Sequence, residues 1–149
     1  MIDASRRNYV IDASVILKWF SQSGENDLDK AVQLREDFGE RKIDLYVPEL
    51  LIYEIANVLR YKNIFKEDII HKAISSIYEM DILLPVNPGV INRAVTIARK
   101  YRITVYDSSY LSFAQSLGCH LITADKKLYQ KIKELPGIIY ISDYIPEKE

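Results

Sequence analysis

Four carboxylates in this chain sit where side chains can do chemistry: Asp12, Glu54, Asp107 and Asp125. Asp12 ends the apolar run Tyr9-Val10-Ile11, Asp107 follows Ile103-Thr104-Val105-Tyr106, and Asp125 follows His120-Leu121-Ile122-Thr123 by one alanine. Each run reads as a buried strand. Glu54 lies in a helical pattern whose neighbours three and four residues away are Leu50, Leu51, Asn57 and Val58, a largely apolar setting for an anion. Carboxylates brought together repel and raise one another's pKa values unless a cation sits among them. Ligands that are all oxygen select hard magnesium or manganese over zinc. Such a metal polarises a phosphoryl oxygen, lowers the pKa of a bound water and stabilises the leaving oxygen of a phosphodiester, with no histidine or serine nucleophile needed.

Each acid also has a plainer reading. Aspartate is a favoured helix N-cap and turn residue, so Asp107 before Ser108-Ser109-Tyr110 reads equally as a cap and as a ligand. Asp125 before Lys126-Lys127-Leu128, taken alone, reads first as a cap, and Asp12 before Ala13-Ser14 reads also as a turn former. Glu54 resists this treatment unless it reaches water at an edge, because a buried anion without a partner costs several kcal/mol. Three aspartates after strands and one inward-facing glutamate form a single pattern.

Around these acids stand Ser14 and Thr123, two residues from Asp12 and Asp125 respectively, whose hydroxyls can orient a carboxylate or cap the local backbone. Lys18, Arg60, Lys62, Lys126 and Lys127 are candidate phosphate contacts, with solvation as the alternative. Trp19 and Tyr110 are candidate stacking platforms for bases, with core packing as the alternative. His120 opens an apolar strand beside Cys119 and reads as structural; His71 reads as a helix-surface residue.

The elements that must position these groups alternate. After the first strand, residues 26–41 place Leu28, Ala31, Val32, Arg35 and Phe38 at helical spacing, and Leu45-Tyr46-Val47 forms a strand stopped by Pro48. Helices follow over 49–61 and about 69–78, then a turn at Asn87-Pro88-Gly89 and a helix through Ile91, Ala94, Val95 and Ala98. The pattern predicts a strand over 103–106, a helix over 109–117 with Gly118 as C-cap, a strand over 120–123, a helix over 126–134 and a strand over 138–141. Strands alternating with helices require crossover connections, hence an α/β fold with a central, mostly parallel β-sheet flanked by α-helices. Ligands in such sheets bind beyond the carboxyl ends of the strands, where three of the acids are expected.

Composition narrows the field. At 149 residues and 48% hydrophobic, the chain can bury one core, so residues 1–149 are expected to form a single domain. Residues 1–8 are read as an N-terminal extension and 142–149 as a polar tail. One cysteine, Cys119, excludes an internal disulfide, and two distant histidines argue against zinc. No apolar run approaches the roughly 20 residues needed to span a bilayer, so no membrane association and a cytoplasmic location are expected. A net charge of -1 means nucleic acid would be held by local basic patches or bound metal.

The segments VIDASVILKWF, VPELLIYEIANVLR, ITVYDSSYLSFAQSLG and LITADKKL, in this order, resemble the motifs of PIN-domain proteins, and most of all the VapC toxins of toxin–antitoxin pairs. The likeness runs from Tyr9 to about Tyr140. The family's four acids fall on Asp12, Glu54, Asp107 and Asp125, and its accompanying hydroxyls on Ser14 and Thr123. One departure is Ser108, where many such motifs carry alanine after the third acid. The resemblance implies a PIN fold, RNA cleavage dependent on Mg2+ or Mn2+, commonly a homodimer, and a cognate VapB-type antitoxin; in-line attack by water with loss of the 3′ oxygen is expected to leave 5′ phosphates on the products. Two other readings stay open: a PIN-domain nuclease of RNA processing or decay without an antitoxin, and a non-catalytic RNA or protein interaction module. A receiver-like domain lacks its adjacent acids here, and a haloacid-type phosphatase would need an aspartate where Ser14 stands.

Overall fold

Val10 and Ile11, and likewise Leu121 and Ile122, are neighbours in sequence and wholly inaccessible to solvent. Successive strand residues point to opposite faces, so the central strands are covered on both, as a parallel sheet requires. In the computed structural model, which describes residues 2, 5–20, 26–61 and 65–146, five parallel strands lie in the order β3-β2-β1-β4-β5. They are β1 (Arg7–Ile11), β2 (Ile43–Pro48), β3 (Leu83–Leu84), β4 (His120–Thr123) and β5 (Ile138–Tyr140). The helices are α1 (Ala13–Trp19), α2 (Leu28–Gly39), α3 (Leu50–Tyr61), α4 (Glu67–Glu79), α5 (Pro88–Tyr101), α6 (Val105–Leu117) and α7 (Lys126–Ile132).

The chain leaves β1 toward β2 on one side and returns to β4 on the other, so the winding reverses between β1 and β4. The crevice of an open parallel sheet opens at that point. The register sets Ile11 against Ile122, which places Asp12 and Thr123 side by side just past the last pair. Helix α6 packs on β1, β2 and β4, while α7 packs on β4 and β5. No helix among the described residues is long and apolar enough to cross a membrane.

Several expectations are corrected. Residues 103–106 form no strand: Thr104 is the N-cap of α6, its hydroxyl accepting from Asp107 N at 3.0 Å, and Val105 and Tyr106 are exposed in the first turn. The β-branched run imitates a strand, but Thr104-x-x-Asp107 has the spacing of a capping box, and the cap prevails. Asp107 therefore belongs to a helix, not to a strand end. Strand β3 was not expected; at two residues it is too short to show a period. Asn87 caps α5 by accepting from Val90 N, with Pro88 in the first turn, so the expected turn is a helix start.

On α2 the buried positions are Ala31, Leu34 and Asp37, whereas Val32 and Arg35 face solvent. The extension expected over 1–8 is partly strand, since Arg7 and Asn8 pair with Ile43 and Asp44. The tail expected from 142 is not uniformly polar surface: Tyr144 is buried, its ring edge-on to Tyr9 and its hydroxyl donating to Asp37. Residues 1, 3–4 and 147–149 of those two segments lie outside the described residues, as does Lys62.

Candidate active site

Asp12 is the N-cap of α1 and only 4% exposed. Its Oδ1 accepts from Ser14 N at 3.1 Å and from Ser14 Oγ; its Oδ2 accepts from Thr123 Oγ1. Both hydroxyls are themselves fixed by the backbone: Ser14 Oγ accepts from Ala124 N at 2.8 Å and Thr123 Oγ1 from Asp125 N at 3.1 Å. Each hydroxyl proton is thus turned toward Asp12. Thr123, expected to serve Asp125, reaches across the β1–β4 register to the first acid instead. Burial pushes the Asp12 carboxyl up to about 7, against the lowering effect of Ser14 and Thr123; Asp107 nearby pushes it the same way as burial.

Glu54, half-buried on α3, accepts from Tyr110 Oη at 2.6 Å. Burial holds its carboxyl above the ordinary range, Tyr110 opposes this, and Asp107 adds to it. Tyr110, 1% exposed on α6, is a buried positioning group and not an exposed platform for bases. Burial and the charge of Glu54 both push its phenol upward, so it remains a donor. The signal was available in the sequence: Tyr110 lies three residues after Asp107, on the same face of one helix.

Asp107 is raised by burial, lowered by the Thr104 hydroxyl, raised by Asp125 and lowered by Lys131. It is the shared neighbour, since its charge is felt by Asp12 and Glu54 and it feels that of Asp125. Asp125 does act as a cap, its Oδ1 accepting from Leu128 N at 3.0 Å at the start of α7. It nevertheless lines a groove of about 400 Å³ together with Asp107. Capping and convergence are therefore compatible at this position.

Among the described residues, no three acidic, histidine or cysteine side chains are gathered tightly enough to enclose a metal ion. The acids are neighbours in charge without forming a cage. The donor set is all oxygen, and three of its carboxyls are pushed upward by burial and by one another. Those features fit a hard divalent cation, and an open arrangement fits magnesium, which keeps waters and shares its shell with substrate phosphates. Asp12 and Asp107, with Glu54 and Asp125 flanking, are the residues that could hold it.

Of the other candidates, Lys127 lines the groove beside Asp107 and Asp125, and the rest disperse. Lys18 Nζ donates to Asn26 O at 2.6 Å, and Arg60 stacks 3.7 Å from the Tyr61 ring centroid while donating to Asn57. Lys126 is exposed in the first turn of α7. None of the three lines the groove that holds Asp107 and Asp125; its cations are Arg102, Lys127 and Lys131. Trp19 Nε1 donates to Ala31 O at 2.8 Å, which supports the packing reading of that ring. His71 pairs with Glu67 on exposed α4, and His120 is exposed at the start of β4, the end away from the acids.

The PIN domain family model matches residues 9–134. Ribonuclease VapC3 of Pyrobaculum aerophilum is 27% identical over 132 residues, which covers 85% of this chain and 95% of that protein. A crystal structure of a Pyrobaculum aerophilum protein superposes with a TM-score of 0.62 at 25% identity, covering 92% of each chain. The structure of VapBC-1 from nontypeable Haemophilus influenzae superposes with a TM-score of 0.61 at 16% identity, covering 91% of this chain and 99% of that one.

Proposed function

Because the chain belongs to the PIN-domain family, we propose that it is an endoribonuclease dependent on Mg2+ or Mn2+ and the toxin of a VapBC-type pair. The observation that carries this reading is the environment of Asp12: a carboxylate withdrawn from water, both oxygens fixed by Ser14 and Thr123, with the charge of Asp107 pressing on it. A purely structural aspartate needs no second anion beside it.

Asp12, Glu54, Asp107 and Asp125 are the residues that would hold the cation, which when bound would supply positive charge beside a phosphoryl oxygen and lower the pKa of a water. Ser14 and Thr123 keep Asp12 in one rotamer and spend their own protons on it. Tyr110 does the same for Glu54 through its 2.6 Å bond. The groove beside Asp107 and Asp125 would take the phosphodiester, and attack of water on phosphorus with departure of the 3′ oxygen would leave a 5′ phosphate on one product and a 3′ hydroxyl on the other.

The relatives' names supply the finer part of the proposal. A protein called ribonuclease VapC3 and a structure of VapBC-1 support RNA as substrate and a small VapB-type antitoxin as partner. We further propose a homodimer, one PIN domain over residues 1–149 and a place of action in the cytoplasm.

The deciding experiment is incubation of the purified protein with a mixed pool of structured and unstructured RNA in magnesium, manganese or EDTA, beside Asp12→Asn and Asp107→Asn. Cutting that needs metal, yields 5′ phosphates and vanishes in both variants is the expected result. Metal-independent cutting, or cutting retained in both variants, overturns the assignment.

A further inference from the structure

The groove next to the acids carries charge of both signs. Asp107 and Asp125 line it, and so do Arg102, Lys127 and Lys131, within a volume of about 400 Å³. Yet among the described residues none of these cations closes an ion pair with either carboxylate within 4 Å. No direct ion pair therefore ties these cations to the acids. Lys131 is drawn in toward the loop instead, its Nζ donating to Arg102 O at 3.4 Å, while its charge is felt at Asp107.

Arg102 is the C-cap of α5, with φ 56° and ψ 47°, a left-handed conformation that favours glycine or asparagine. Arg41 takes the same conformation elsewhere in the chain, so the backbone alone assigns nothing. What distinguishes Arg102 is that it lines the groove with two lysines and two acids. A guanidinium offers a planar fork of donors matched to two phosphate oxygens, and the acids, once they share a cation, no longer repel a polyanion from the groove.

Resting on the ribonuclease reading, we propose that Arg102, supported by Lys127 and Lys131, binds the backbone phosphate adjoining the scissile one, so that the RNA strand crosses the acids along the groove between α6 and α7. The contact is with the backbone and not with a base, so it adds affinity on every sequence alike. Target choice is then left to other surfaces.

The test uses the full chain, a labelled mixed-sequence single-stranded RNA, and calcium as the oxygen-seeking cation, with strand integrity checked on a gel. Arg102→Gly is expected to weaken binding roughly tenfold and to reduce the slope of log K against log salt by about 0.7. Its melting temperature should be unchanged or higher, because glycine enters the left-handed region freely. Arg102→Lys should recover part of the affinity. An Arg102→Gly protein that binds with unchanged affinity and salt slope overturns the assignment while leaving the ribonuclease reading intact. So does a loss of affinity that tracks a loss of melting temperature and is not relieved in Arg102→Lys. If the unaltered protein binds no RNA in calcium and cuts none in magnesium or manganese, both readings fall together.

Discussion

Asp12 and Asp37 are both buried carboxylates that accept a side-chain hydroxyl, and they lie in different surroundings. Asp37, on α2 and 0% exposed, takes one bond on each oxygen: Gln33 Nε2 at 3.0 Å on Oδ1 and the Tyr144 hydroxyl on Oδ2. Its partners knit α2 to the end of the chain, where Lys30 Nζ also donates to Tyr144 O at 2.6 Å. Asp12 takes more bonds, yet Asp107 presses on it and burial lifts its carboxyl to about 7. A buried acid is thus no functional signal by itself. The signal is a buried acid whose hydrogen bonds are supplied while a second anion is held nearby, because packing alone gives no reason to keep that anion there.

The contrast can be broken by substitution. Asp12→Asn should lower RNA cleavage on the order of 10²- to 10³-fold or more while leaving the metal-free melting temperature unchanged or raised, since it removes a buried charge. If cleavage assays instead show activity near that of the unaltered chain, the distinction between the two aspartates fails.

It can be sharpened by pH. The native state holds the Asp12 proton more tightly than the unfolded chain, with a pKa of about 7 against an ordinary 3.8. Stability of the metal-free protein should therefore fall as pH rises through that window and level off above it, by at most roughly 4 kcal/mol from this group. Denaturant titrations at several pH values read the slope directly. Magnesium or manganese should restore stability most at the alkaline end, where the carboxylate is bare; a metal effect that grows toward acid would reverse the sign of the argument.

For Asp37 the expected outcome is the mirror image. Asp37→Ala leaves the Tyr144 hydroxyl and the Gln33 amide unpaired in the interior, which costs about 3 kcal/mol, with cleavage per folded molecule unchanged. Chemical denaturation and turnover of the same preparation separate the two effects. Smallest of all, Tyr110→Phe should reduce turnover roughly tenfold, the worth of one hydrogen bond to a charged group, with little change in secondary structure by circular dichroism.

Sequence patterning made the site legible where it is built from interrupted strands. Asp12 and Asp125 follow β1 and β4, buried apolar runs that stop abruptly, and the four segments that resemble the family's motifs contain all four acids in order. Asp107 was found for a partly mistaken reason, because Ile103 to Tyr106 has strand composition and helix-start geometry. Strand β3 left no trace, since its two residues take their place from pairing with β2 and not from a period. Asp37 and Tyr144 were invisible for a related reason: a polar side chain is buried only when a distant partner arrives, and the spacing of 107 residues between them carries no local pattern. The groove cations Arg102 and Lys131 were missed because the contacts that matter join α5 to α7 across a loop.

The bond from Thr123 to Asp12 joins positions 111 residues apart. A growing polypeptide that has not yet reached Thr123 cannot fix Asp12 Oδ2, and one that stops before Asp125 lacks its fourth acid. Synthesis itself therefore sets an order: the strand that opens the sheet is made first and stays chemically incomplete until β4 is laid beside it. For a protein proposed to cut RNA, that order leaves the nascent chain without its full set of acids until it is nearly finished.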